Sequence, residues 1–228
     1  MHSDFPRWSQ SQFGEIEHLL EHGLNSFIRN KIVVDVGAAD TRISNSIDLI
    51  RYFGFYGLLI EANPELSAKM LLQTEGLNCR VVTVAVGPEA GKGKLYLGVN
   101  DHISSLDKTE TESWGPIYGQ IDVEIQTLQD ILKSESIPIR FGLLSIDIEG
   151  LDLKVLDSLL LNSKYRPEII IFEFGANPEQ AWLAPESMLT ILKEYIVIAI
   201  SGPNVILRFK GNFVKRIVRV IRQSKSRN

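Results

Sequence analysis

Ile32-Val33-Val34-Asp35-Val36-Gly37-Ala38-Ala39-Asp40-Thr41 is the stretch on which the reading of this chain turns. Its first five residues are β-branched except for one aspartate, as a strand buried on both faces requires. Gly37 opens a turn. Ile43, Ile47 and Ile50 then recur at helical spacing until Gly54 ends the helix. Strand, turn and helix in this order form the first unit of an α/β layer.

The same alternation continues downstream. Leu58-Leu59-Ile60 reads as a second strand, and Pro64 starts a helix with Leu66, Met70 and Leu71 on one face and Gly76 past its end. Val81–Val86 is a third strand and Lys94–Leu97 a short one, followed by a polar, irregular loop over Gly98–Gln120. Ile121–Ile125 alternates as a strand, and Thr127 caps a helix carrying Leu128, Ile131 and Leu132. Leu143–Ile148 is a buried strand, Leu151–Leu161 a helix, and Ile169–Phe174 a strand. A helix from near Pro185 to about Glu194 follows. Ile196–Ile200 and Val205–Phe209 then pair as a hairpin around Gly202-Pro203-Asn204. The pattern predicts an α/β fold: a mostly parallel, mixed Rossmann-like sheet with a C-terminal antiparallel hairpin and helices on both faces. Such sheets take ligands in the crevice beyond the carboxyl ends of their strands.

Composition narrows the class. The 228 residues are 44% hydrophobic and 23% charged with a net charge of -4, so no global pull toward nucleic acid or an anionic surface exists. Cys79 is the single cysteine, which excludes an internal disulfide framework and suits a reducing cytoplasm. The polar N-terminus is unlike a secretory signal, and no apolar run is long enough to span a bilayer. The expected division is a helical extension over 1–30, one domain over 31–209, and a basic tail over 210–228. After Glu194 no acidic residue occurs, and Phe213, Ile217, Val220 and Ile221 are spaced for a basic amphipathic helix over Asn212–Gln223. Such a helix packs on its own domain or makes peripheral contact with an anionic membrane.

Three acidic sites fall at strand ends: Asp35 to Asp40, Glu61-Ala62-Asn63-Pro64, and Asp147-Ile148-Glu149-Gly150. A dinucleotide would need three spaced glycines, of which only Gly37 is present, and Asp40 would repel a phosphate. The Gly-Lys-Ser/Thr of a phosphate loop is missing as well. An acid at the end of the second strand is nonetheless what a ribose diol requires as acceptor. A nucleoside ligand without phosphates satisfies both facts, and S-adenosylmethionine, whose charges tolerate carboxylates, is one. Taken singly, an acid after a strand is as readily a helix cap or solvated turn residue.

Ile32–Ser44, Leu59–Pro64, Val84–Gly87, Ser104–Leu106, Thr127–Leu132, Ser145–Gly150 and Arg166–Glu168 leading into Phe172-Glu173 occur in the order of the FkbM methyltransferase motifs, and the chain resembles that family from about Lys31 to Phe209. The resemblance implies a seven-stranded fold, S-adenosylmethionine as donor, and a hydroxyl of a sugar, glycan or secondary metabolite as acceptor. By position it assigns Asp35 and Gly37, with Ala38 beside them, to the methionine end of the donor. Glu61, with Ala62, goes to the ribose and Ala85 to the adenine side, while Asp147 and Glu149 face the reaction centre. The chain departs from the family in the first turn, where Ala39 and Thr41 replace the usual Asn and Gly.

A hydroxyl acceptor must lose a proton, and the candidates to take it are Asp147, Glu149 and His102. Asp147 and Glu149 alternate, so continued strand geometry would point them to opposite faces. Two carboxylates without further ligands argue against a metal. Glu173 is another strand-end acid that could share the crevice, and Trp114 and Tyr118 could stack on a sugar or anchor the loop. N-methyl transfer on the same fold, and a non-catalytic binding or scaffold relative, are the rival readings.

Overall fold

In the computed structural model the described residues are 10–21, 28–99, 103–174 and 191–211. Their elements run α1 (Glu15–Glu21), β1 (Ile32–Val36), α2 (Ile47–Phe53), β2 (Tyr56–Glu61), α3 (Pro64–Gln73), β3 (Cys79–Thr83), β4 (Ala85–Gly87) and β5 (Gly91–Leu97). There follow β6 (Ser104–Ser105), α4 (Lys108–Trp114), β7 (Gly119–Thr127), α5 (Leu128–Ser134), β8 (Leu143–Ile146), α6 (Asp152–Asn162), β9 (Ile169–Glu173), β10 (Tyr195–Ser201) and β11 (Asn204–Phe209).

Seven strands form one sheet in the order β10-β11-β9-β8-β1-β2-β3. β9, β8, β1, β2 and β3 run parallel, while β11 is antiparallel to both β9 and β10. Side-chain alternation on a sheet covered from both sides yields two cores. Val34, Val36, Leu144, Ile170 and Phe172 face α5 and α6, whereas Val33, Leu143, Ile169 and Ile171 face α1 and α2. The N-terminal segment belongs to the second core: Ile16 and Leu19 are fully buried there, and the side-chain amide of Asn204 donates to Glu15.

Local chemistry sets the helix ends. Gly54 closes α2 with φ 71°, a left-handed conformation that glycine adopts without a Cβ penalty. Asn63 caps α3 by accepting the N–H of Glu65 at 3.0 Å, and Pro64 occupies the first helical turn, where no N–H is needed.

Three expectations change. The predicted strand Val81–Val86 is two strands in two sheets, because the chain bends at Val84, whose N–H bonds the Glu61 carbonyl at 3.0 Å. A second sheet, β4-β7-β5-β6, was not foreseen, and the presumed loop Gly98–Gln120 contains β6 and α4. Leu71 faces solvent at 55% exposure, so α3 buries Leu66 and Met70 without it. The predicted helix ending near Glu194 falls mostly, and the basic helix over 212–223 wholly, outside the described residues. Among the described residues no helix is long and apolar enough to cross a membrane.

Candidate active site

Strand order reverses at β1, which has β2 on one side and β8 on the other. The turns that leave β1 and β8 therefore meet at a topological switch point, where a crevice opens. Gly37 makes that meeting possible: its φ is 80°, and a Cβ there would lie 1.8 Å from the carbonyl oxygen of Asp147. The Asp147 N–H in turn donates to the Val36 carbonyl at 2.9 Å.

Asp35, at the end of β1, is buried, and its Oδ2 accepts the hydroxyls of Ser44 at 2.9 Å and Ser46 at 2.6 Å. Burial pushes its carboxyl up from the ordinary range while the hydroxyls pull the other way. Beside it, Asn45 donates weakly to Ser145 Oγ at 3.4 Å, but the buried Asn45 Oδ1 has no partner among the described residues. Asp35, Gly37, Ala38, Ala39, Asn45, Ser145, Asp147, Glu149 and Trp114 share one cavity of about 300 Å³. Sequence reasoning missed Asn45. In Ser44-Asn45-Ser46 ahead of a helix, its residue type suggests an N-cap and nothing more.

Glu61 braces two turns. Its Oε2 accepts the Ala39 N–H at 3.0 Å and its Oε1 the Asn63 N–H at 2.7 Å. Burial raises its carboxyl, opposed by these N–H groups. Glu61 and Ala62 line a narrower cavity whose apolar side is made by Ile60, Leu66, Val84, Ala85, Val86 and Leu95, and whose polar lining is Glu61 together with Ser104, Ser105, Asp147 and Glu149. Asp40 departs from expectation: it does not face the crevice as a free charge. Arg42 and Lys69 hold it at 2.9 Å and 2.7 Å, and the Arg42 contact keeps its carboxyl well below the usual range.

The largest correction concerns Asp147 and Glu149. β8 ends at Ile146, so strand alternation does not extend to them. Glu149 adopts φ 53° and Gly150 φ 94°, which swings the chain around. Carboxylate oxygens of Asp147, Glu149 and Glu173 consequently lie within 4.8 Å of one another. Burial first, then repulsion from Glu173, Asp35 and Glu15, pushes Asp147 up to about 7. Burial, then repulsion from Asp147, Glu173 and Glu110, pushes Glu149 up to about 8. Trp114 stands at the cavity mouth, 53% exposed, while Tyr118 is 73% exposed and lines neither cavity. His102 lies outside the described residues.

A doubly covered, mostly parallel sheet with a crevice at its switch point defines a Rossmann-like ligand-binding fold. The chain belongs to the FkbM methyltransferase family: the model of the methyltransferase FkbM domain matches residues 35–196, and the methyl donor of that family is S-adenosylmethionine. No curated protein matches significantly. Among solved structures, the chain is similar to a METTL16 MTase domain, at 15% identity and TM-score 0.47, with 83% of this chain covered. It is also similar to the N-terminal domain of human METTL16 in complex with SAH, at 16% identity and TM-score 0.46, with 85% covered. The chain spans 65% and 68% of those two domains.

Two predictions arise from this geometry. Folded Asp147 and Glu149 titrate near 7 and 8 against 3.8 and 4.5 for ordinary carboxyls, so between those values the native state holds protons that the unfolded chain has released. Stability then falls as pH rises through that window. In buffer free of divalent cations, the urea midpoint should drop from pH 6 to pH 9, and Glu149→Gln should flatten the drop; an unchanged wild-type midpoint would contradict the assignment. Ala39, at φ 36°, bears the Cβ penalty that glycine avoids. Ala39→Gly should stabilise the fold by about 1 kcal/mol in urea unfolding, the penalty of roughly 1–2 kcal/mol being partly offset by glycine's entropy.

Proposed function

We propose that this chain transfers a methyl group from S-adenosylmethionine to a hydroxyl of a sugar, glycan or secondary-metabolite acceptor. The observation that carries the reading is the single cavity joining Asp35 and Asn45 to Asp147, Glu149 and the exposed Trp114 ring. Its two ends suit two different ligands.

The residues present fit the donor. The unpartnered Asn45 Oδ1 and the Asp35 carboxylate supply acceptors for an ammonium group. Gly37 and Ala38 keep that wall low, and a negatively lined cavity favours a sulfonium. Glu61 still has lone pairs for a ribose diol after accepting two N–H groups, and the flat slot beside Ala62 and Ala85 suits an adenine. The bound donor supplies a methyl group already activated on positive sulfur. Positioning of the acceptor oxygen then provides much of the acceleration.

On the acceptor side, whichever of Asp147 and Glu149 is ionised accepts the hydroxyl proton, and Trp114 offers an apolar face for a sugar ring. His102 is a further candidate base from the β5–β6 connection. A non-catalytic scaffold role is the second reading, supported by the departure at Ala39 and Thr41; the acids present at Asp35, Glu61, Asp147 and Glu149 weigh against it.

Calorimetry with S-adenosylhomocysteine tests the donor half. The expected result is micromolar binding that Glu61→Ala weakens by about 1–3 kcal/mol, the cost of losing hydrogen bonds to a charged group. Absence of binding by the wild type would defeat the proposal. With a methylated sugar product identified, Trp114→Ala should raise KM for the acceptor and leave kcat nearly unchanged, the signature of lost uniform binding.

A further inference from the structure

The acid cluster holds more carboxyl groups than proton abstraction uses. Glu110, Asp147, Glu149, Asp152 and Glu173 converge from α4, the β8 turn, the start of α6 and the end of β9. Among the described residues none of them forms an ion pair. Asp152 is the independent sign that something is held here. It is 2% exposed; its Oδ1 accepts the Ile148 N–H at 3.3 Å, yet its buried Oδ2 has no partner among the described residues. Asp152 lines one cavity with Glu110, Gly150 and Glu173, and the charges that act on it most are Asp147 and Glu173. A buried carboxylate oxygen left without a donor costs free energy unless a ligand or its bound water supplies one.

We propose that Asp147, Glu149 and Glu173 form a site for a hard divalent cation of the magnesium, manganese or calcium class. All three offer carboxylate oxygen and no nitrogen or sulfur, which selects that class over zinc or copper. The spacing fits. Trans oxygens lie about 4.2 Å apart around magnesium and about 4.8 Å around calcium, from metal–oxygen distances of about 2.1 and 2.4 Å. The three ligand oxygens all fall within 4.8 Å of one another. Three monodentate carboxylates leave coordination positions for water, and Asp152, which shares a cavity with Glu173, has an unsatisfied oxygen available to such a water.

Metal binding by these groups is independent of methyl transfer, but the role given to the cation rests on the reading of the crevice above. Glu149 and Asp147 line the same cavity as Trp114, so an acceptor hydroxyl entering there can take an open coordination position. Coordination lowers the hydroxyl pKa, and the released proton passes to a neighbouring ionised carboxylate or to water as the oxygen attacks the methyl group. The expectation from sequence that no metal binds rested on two carboxylates. Glu173 and Asp152 enlarge that set.

The test uses full-length protein stripped with a chelator and titrated with manganese chloride, free Mn²⁺ being read by electron paramagnetic resonance. The expected result is one Mn²⁺ bound per chain, displaced by excess Mg²⁺ or Ca²⁺, with a rise in the wild-type melting temperature. Glu149→Gln and Glu173→Gln should each weaken Mn²⁺ binding by roughly tenfold or more. Asp122→Asn, at an exposed pair with Lys94, should not change it. Calorimetry with S-adenosylhomocysteine on every variant separates the two proposals. Mn²⁺ binding that follows this pattern without S-adenosylhomocysteine binding keeps the cation site and removes the donor reading. Wild-type protein that binds no stoichiometric Mn²⁺ and shows no thermal shift, or folded variants that both bind as tightly as wild type, would overturn the cation site.

Discussion

The contact of the β1 turn with the β8 turn is the constraint on which the site depends. Gly37 lies so close to the Asp147 carbonyl that no side chain fits between them. Because β8 neighbours β1 in the sheet, the turn after β1 and a turn more than a hundred residues later become one wall. Asp35, Gly37, Asn45, Asp147 and Glu149 share a cavity as a result. Glu61 adds the second brace, tying the β1 turn to the start of α3 through two backbone N–H groups. Local folding thus draws on the same carboxylate that is proposed above to meet the donor's ribose.

Electrostatics then sort the acids by what each one faces. Asp40, with Arg42 and Lys69 beside it, is held ionised and contributes to the fold. Asp147 and Glu149 face other acids and apolar surroundings, so burial and repulsion hold their protons to near neutral pH. Side chains of one chemical type thereby acquire opposite behaviour through their neighbours alone. A crevice of this kind favours positive ligands, whether an organic cation or a metal.

Much of the fold was legible because parallel strands buried on both faces leave continuous apolar runs. Ile32–Val36, Leu143–Ile146 and Ile169–Phe172 announce themselves this way, and Gly54 and Pro64 mark helix ends by steric rules. The second sheet was not foreseen although β5 and β7 were read in part as Lys94–Leu97 and Ile121–Ile125, because alternation does not say which sheet a strand joins; β6 has only two residues, too few for any period. At the site, the strand-end acids could be read from their positions. Their convergence could not, since it arises from left-handed backbone at Glu149, and a glutamate gives no hint of positive φ. Asn45 was unreadable because its meaning lies in a missing hydrogen bond.

The Ser105 hydroxyl occupies an unusual place in this arrangement. It donates to the Glu149 carbonyl at 2.7 Å and accepts the N–H of Asp107 at 2.9 Å. Asp107 caps α4, and α4 ends at Trp114. A single oxygen thus links the Glu149 turn to the helix bearing the exposed ring. The two-residue β6 strand therefore acts as a one-atom rivet: removing the Ser105 hydroxyl would take away the Glu149 carbonyl contact and the Asp107 N–H contact together.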